Sequence, residues 1–156
     1  MDWIDHGRLT GRSSVDAAVS ALCTWAGEFG ACREIGFGKC KKMNKVSAWV
    51  QDHVKEWARQ VTRPVKGKQN ALRHCIGSAI LSCEFGERDT KRVLIGHEAG
   101  QRESGTKSDR KNNDVGLSIA RVIKKRNPPP SEQRRAIIDA CIAEANDPNG
   151  RLAFKR

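Results

Sequence analysis

The chain has 156 residues, of which 38% are hydrophobic and 30% charged, so its composition is that of a globular protein and excludes an intrinsically disordered one. A chain of this length forms one hydrophobic core, and we expect a single domain over residues 1–156. Its 29 Lys and Arg residues outnumber its 18 Asp and Glu residues, and the net charge of +11 predicts partners that are nucleic acid, anionic lipid or an acidic protein. No apolar run approaches the roughly 20 residues of a transmembrane helix, and the polar start MDWIDHGRLT is not a signal peptide.

The spacing of apolar residues predicts an all-α fold, a compact bundle of five or six helices. The first helix is predicted over residues 15–26, and a Gly-rich, Cys-containing loop follows it. The second is predicted over about residues 45–63, where Pro64 ends it. The third is predicted from Asn70 to a stop at Gly86, which places Arg73 and His74 on its first turn.

The second half of the chain predicts three more helices. A short fourth helix begins near Asp89 and ends before Gly100. The sequence AGQRESGTKSDRKNN has no apolar residue apart from its alanine and predicts a long polar loop, of a length that is usually functional or disordered. A fifth helix is predicted from Val115 to the three consecutive prolines, and Ser131 caps a sixth.

The six cysteines leave the cellular compartment open. Cys75, Cys83 and Cys141 each recur within an apolar stripe, and we expect them to be small buried hydrophobic residues. Among the three cysteines between residues 23 and 40, a disulfide is an alternative to free thiols if the domain resides outside the cytosol. None of the spacings is that of a zinc knuckle.

Two pairs of residues are candidates for catalysis: Arg73 with His74, and His97 with Glu98. Histidine exchanges protons near neutral pH, Glu98 can orient a histidine or act as a base, and Arg73 can neutralise an anionic transition state. The same pairs can instead form caps and salt bridges between consecutive helices.

The segment SDRKNND is a candidate for binding substrate or metal. It crowds Asp109, Asn112 and Asn113 just before the predicted fifth helix. Their oxygens could hold a divalent metal ion, or the helix start could hold a phosphate group on its backbone N–H groups. Two histidines with Asp109 or Glu98 would also suit zinc, although the spacing is not of the HExxH type. Ordinary N-capping by one of these residues is the structural alternative.

The candidate residues lie in three short sequence blocks that together resemble a known family. The strings GKQNALRHCIGSAILSCEFG, GHE and SDRKNNDVGLSIAR together resemble a domain found near the C-termini of bacterial secreted and polymorphic-toxin proteins, with the pattern N-A-x-R-H-C, then H-E, then D-x-x-N-N-x-x-G. The resemblance covers about residues 67–123. The chain departs from it at Gly77, where an aromatic residue is common, and at Arg110 and Lys111. The residues that match the pattern are Asn70, Arg73, His74, His97, Glu98, Asp109, Asn112, Asn113 and Gly116.

The resemblance implies an effector or toxin-like module that is secreted or delivered into a target cell, and it adds Asn70 to the candidate binding residues. An acidic immunity-type protein would be a natural partner of such a module. Two functions stay open. One is a hydrolase of phosphate esters, acting on RNA or DNA in preference to phospholipid. The other is a non-catalytic module that binds a polyanion or a protein. A membrane-disrupting toxin is disfavoured, because no helix is both long and strongly apolar.

Overall fold

Six helices account for most of the chain that the structure describes. The computed structural model describes residues 29–99 and 103–154, and within these ranges it contains helices and no strand. The predicted all-α fold is therefore confirmed, although the first predicted helix, over residues 15–26, lies outside the described residues. In chain order the helices are α1 (residues 29–35), α2 (Phe37–Arg59), α3 (Lys68–Phe85), α4 (Glu87–Glu98), α5 (Glu103–Arg126) and α6 (Pro130–Asn146).

Helix α3 lies at the centre of the bundle. From Ala71 to Ser82 every residue except Arg73 is buried, because α2, α4, α5 and α6 all pack against this helix. A helix that is apolar on nearly all sides belongs in the interior of a protein. No helix in the described part of the chain combines the length and the apolar character needed to cross a bilayer.

The most extensive contact in the bundle joins α3 to α5, and it depends on Gly116. A Cβ atom at this position would overlap the hydroxyl of Ser78 and the backbone carbonyl of Cys75. Glycine therefore lets the two helices approach almost backbone to backbone. This close crossing brings the turns of α5 that precede Gly116 against the first turns of α3.

The long polar loop predicted before the fifth helix is mostly helix. Helix α5 begins at Glu103 rather than near Val115. The segment contains no proline, and the face that α5 turns towards α3 carries Asp109, Asn113 and Gly116 at helical spacing. Because polar residues form this face, apolar periodicity does not reveal the first half of the helix.

The predicted Gly-rich loop is also largely helical. Helix α2 begins at Phe37, and a single non-helical residue, Gly36, separates it from α1. Gly36 has φ of 94°, a conformation that residues with a side chain rarely adopt. A disulfide joins Cys32 to Cys40 across this break, so one of the alternatives left open by the sequence is realised.

A second disulfide corrects the prediction for the remaining cysteines. Cys75 on α3 and Cys141 on α6 are both fully buried, as expected, but they are bonded to each other rather than packed as separate apolar residues. They lie 66 residues apart in sequence, and only the packing of α6 on α3 brings them together. Cys83 keeps a free thiol that is half-buried, and burial raises its pKa.

Candidate functional site

Polar side chains from three helices meet at the start of α3. We call this cluster the polar network. Helix α3 begins two residues earlier than predicted, so His74 lies on its second turn and is only 3% exposed. Helix α4 contributes a side chain from its last turn, and α5 contributes two from its polar face. The members of the polar network are Asn70, Arg73, His74, Glu98, Asp109 and Asn113.

Asn113 determines which nitrogen of His74 carries the hydrogen. The Asn113 Nδ2 atom donates a hydrogen bond to Glu98 Oε1 at 2.8 Å, so its Oδ1 atom is the one that faces His74 Nδ1, at 3.3 Å. An amide oxygen accepts hydrogen bonds and does not donate them. Neutral His74 therefore carries its hydrogen on Nδ1 and presents the lone pair of Nε2.

A carboxylate and a guanidinium lie beside that lone pair. His74 Nε2 is 3.3 Å from Asp109 Oδ1 and 3.5 Å from Arg73 Nη2. Asn70 fixes both neighbours, because its Nδ2 atom donates to Asp109 Oδ1 at 2.8 Å and its Oδ1 atom accepts from Arg73 Nη2 at 2.6 Å. A proton taken up at Nε2 would therefore form an ion pair with Asp109.

The surroundings of His74 keep its ring neutral at neutral pH. Burial lowers the pKa of His74 from the ordinary value of 6.5 to about 4, because the protonated ring loses its hydration. Asp109 favours the protonated form, whereas Arg73 and His97 disfavour it. Neutral imidazole is the form that can accept a proton.

Glu98 links α4 to α5 through two donors. It is 6% exposed, and besides Asn113 it accepts a hydrogen bond of 2.6 Å from Arg110 Nε. The sequence singled out Arg110 only as a departure from the family pattern and missed this contact. Once α5 is known to include residue 110, a shared contact of Arg110 and Asn113 with Glu98 can be expected, because the two residues are three apart and lie on the same side of a helix.

Two other predicted site residues take different positions. His97 is buried and close enough to His74 to lower its pKa, so it lies near the polar network. Asn112 is fully buried, and its amide is occupied by the chain itself: Nδ2 donates to the carbonyl of Ala153 at 3.0 Å, and Oδ1 accepts from the N–H of Ala153 at 2.7 Å. Asn112 was predicted to bind substrate or metal, whereas here it holds the segment after α6 against α5.

A cleft of about 490 Å³ opens beside the polar network, between α2 and the start of α3. Of the network residues only Asn70 and Arg73 line it. Catalytic groups that act on one bond need access to a common cleft, but His74 and Asp109 are buried and do not line this one. The close crossing at Gly116 accounts for their burial, because it packs the polar face of α5 against α3.

The donors for a metal ion are not grouped together in the described part of the chain. No three side chains of His, Cys, Asp or Glu there are placed to hold one ion. The oxygens of Glu98 and Asp109 instead accept hydrogen bonds from Asn70, Arg110 and Asn113.

Comparison of the chain with protein-family models, with curated proteins and with solved structures finds no match.

Proposed function

We propose that this chain is a hydrolase of phosphate esters in which His74 Nε2 is the proton acceptor. The observation that supports this most directly is the fixed orientation of the ring. Asn113 and Glu98 hold Nδ1, so Nε2 is the nitrogen that faces Arg73 and Asp109. A neutral histidine oriented through one nitrogen, with a carboxylate beside the other, is suited to general-base catalysis.

The reaction needs an acceptor for one proton and a partner for negative charge. The reaction requires Asn70 and Arg73, which line the cleft in front of His74, to admit a water molecule. That water attacks the phosphorus atom as its proton moves to His74 Nε2, and the adjacent Asp109 stabilises the imidazolium that forms. Arg73 neutralises the charge that grows on the phosphoryl oxygens. The bond between phosphorus and the leaving oxygen breaks, and that oxygen takes up a proton, for which His97 is the candidate donor.

Charge and exposed aromatic rings favour nucleic acid as the substrate. The net charge of +11 attracts a polyanion, and two phenylalanines lie near the lysines at the start of α2. Phe29 and Phe37 are 47% and 56% exposed, and their ring centroids are 5.6 Å apart. Exposed rings next to basic residues suit the stacking of unpaired bases.

The wider biological role is part of the same proposal. A basic hydrolase of nucleic acid matches the effector or toxin-like module that the sequence resemblance implies. Such a module acts after delivery into a target cell. The cell that makes it would carry an acidic immunity-type protein, which a surface of this charge binds readily.

A second candidate function is a non-catalytic module that binds a polyanion. The observation that favours it is that most hydrogen-bonding groups of the polar network are already paired within the chain. Glu98, Asp109 and Asn113 are buried and hydrogen-bonded within the chain. In this case the polar network ties α3, α4 and α5 together, and the basic surface alone holds the ligand.

Two substitutions separate the candidates. His74→Gln removes the proton acceptor, and Asp109→Asn removes its counter-charge while keeping the size of the side chain. For a hydrolase, each should lower kcat/KM on RNA, DNA or phospholipid by about 10² to 10⁴-fold. Thermal melting of each variant reports whether the bundle is retained.

His53→Gln is the matched control. His53 is exposed on α2, and its Nδ1 atom contacts the backbone carbonyl of Trp49 rather than the polar network. This control should retain full activity. A wild-type protein that cleaves none of the three substrates, with a lowered melting temperature in the His74 variant, would contradict the hydrolase and favour the binding module.

A further inference from the structure

The guanidinium of Arg73 has only neutral partners. Its Nη1 atom donates to Gln51 Oε1 at 3.3 Å, and its Nη2 atom donates to Asn70 Oδ1. The Nε atom is fully buried and has no hydrogen-bond partner. No carboxylate in the described ranges forms an ion pair with this arginine. Asp109 lies nearby but is linked to Arg73 only through Asn70 and His74, so the guanidinium has no direct counter-ion and is a candidate for binding an anion.

The cleft beside Arg73 has the electrostatic character of an anion site. Arg73 and Lys68 are the two charged residues among its lining, and none of the residues that line it is acidic. Part of the wall is the first turn of α3, which has no side-chain cap. Unpaired backbone N–H groups at a helix start add partial positive charge there.

We propose that this cleft binds a phosphate group of a nucleic acid strand, with Arg73 as its counter-ion. A phosphate oxygen on the Nη atoms of Arg73 supplies the counter-charge that the guanidinium lacks, in a charge-assisted hydrogen bond. The volume of about 490 Å³ is that of a small-molecule site and exceeds the needs of one phosphate group. Val54 and Val65 are the only large apolar residues of the lining, so the cleft offers no channel for acyl chains.

This inference rests on the proposed function for its ligand. Arg73 Nη2 is 3.5 Å from His74 Nε2, so a phosphate held in the cleft is next to the reacting group. Arg73 would then contact two phosphates, the reacting one beside His74 and that of the neighbouring nucleotide in the cleft, so a strand would be a better substrate than a free monoester. The chemistry of the cleft is nevertheless testable by binding alone.

Gln51→Glu is a sharp test because Gln51 is exposed and its substitution should leave the core intact. The new carboxylate would lie beside Arg73 Nη1, where it supplies an internal counter-ion and repels phosphate. NMR titration with inorganic phosphate and with a thymidine dinucleotide measures the dissociation constant. We expect wild-type protein to bind both probes, the dinucleotide more tightly, and Gln51→Glu to weaken each by about tenfold or more.

Gln133→Glu is the matched control, since it makes the same change of net charge on α6, at a residue that does not line the cleft. Its affinities should stay within about twofold of wild type. Equal affinities of wild type and Gln51→Glu would overturn the proposal, and so would a wild type that binds neither probe. Binding of anionic phospholipid vesicles but not of the dinucleotide would overturn the nucleic acid strand as the ligand.

The hydrolase and the phosphate-binding cleft can be refuted independently of each other. Phosphate binding that is sensitive to Gln51→Glu, without cleavage of any substrate, supports the subsite and removes the hydrolase. Cleavage that is abolished by His74→Gln, together with phosphate and dinucleotide affinities that Gln51→Glu leaves unchanged, supports the hydrolase and removes the subsite.

Discussion

The buried ring of His74 makes the free energy of unfolding depend on pH. Its pKa is about 4 in the folded chain, against an ordinary value of 6.5, so between these two values the unfolded chain binds the proton more readily. The stability contributed by the neutral ring is complete above pH 6.5 and is lost as the pH falls towards 4. We expect His74→Gln to flatten this part of the stability profile, measured by denaturant unfolding across the same range.

The control for this prediction is again His53→Gln, because that side chain is exposed and contacts the backbone of its own helix. It should keep the pH dependence of the wild type. If His74→Gln and wild type lose stability in parallel as the pH falls, the neutral, buried state of His74 is contradicted.

At the scale of the helices, the crossing of α3 and α5 depends on the missing side chain of Gly116. Gly116→Ala should lower the free energy of unfolding by about 1 to 3 kcal/mol, because the added methyl group overlaps backbone as well as the Ser78 side chain. Urea unfolding measures this change. The proposed hydrolase activity should fall as well, since Asp109 and Asn113 are carried by the displaced helix.

Gly38→Ala is the matched control within α2. A Cβ atom there would meet no other atom within 4 Å, and the residue is helical. Removing the extra backbone freedom of glycine should raise stability by up to about 1 kcal/mol. Equal effects of the two substitutions would show that helix propensity, not the helix crossing, determines the cost at Gly116.

The sequence predicts helices well where apolar residues carry the pattern. The end of α3 at Gly86 and the presence of α6 both follow from apolar spacing and from Gly or Pro at the breaks. The first half of α5 could not be found in this way, because its buried face is made of Asp109, Asn113 and other polar residues. That face can be recognised only from the helical spacing of its polar residues together with the helix that it packs against. A single sequence does not show that this helix is α3.

The candidate site was predictable as a set of residues but not as a geometry. The blocks around His74, Glu98 and Asp109 are visible in the sequence, and the structure brings them together. Their burial and the orientation of the His74 ring depend on how closely two helices cross. The cleft depends on where α2 ends relative to α3, and the lack of a counter-ion for Arg73 is visible only when every neighbour is known.

At the scale of the whole molecule, two disulfides should differ in what they contribute. The bond between Cys75 and Cys141 closes a much longer loop than the bond between Cys32 and Cys40, with sequence separations of 66 and 8. A longer loop costs the unfolded chain more entropy. Replacing the first pair by alanine should lower the free energy of unfolding by about 4 kcal/mol, and replacing the second by about 2.5 kcal/mol.

Chemical unfolding of the two double variants, without and with reductant, measures this difference. Each variant serves as the control for the other, because both lose one disulfide and no charge. A larger loss from the pair with the shorter loop would contradict the assignment of Cys75 and Cys141 as the main covalent constraint on the bundle.

The two hydrogen bonds between Asn112 and Ala153 have a consequence for the order in which the chain is made. A ribosome releases α5 before it releases Ala153, which follows Asn112 by 41 residues. Until then the fully buried amide of Asn112 lacks both of its partners, and Leu152 is not yet available to cover the core. The neighbouring Asn113 therefore sits on an incompletely packed helix from its own synthesis until Ala153 is released, and the finished arrangement around His74 forms only after that point.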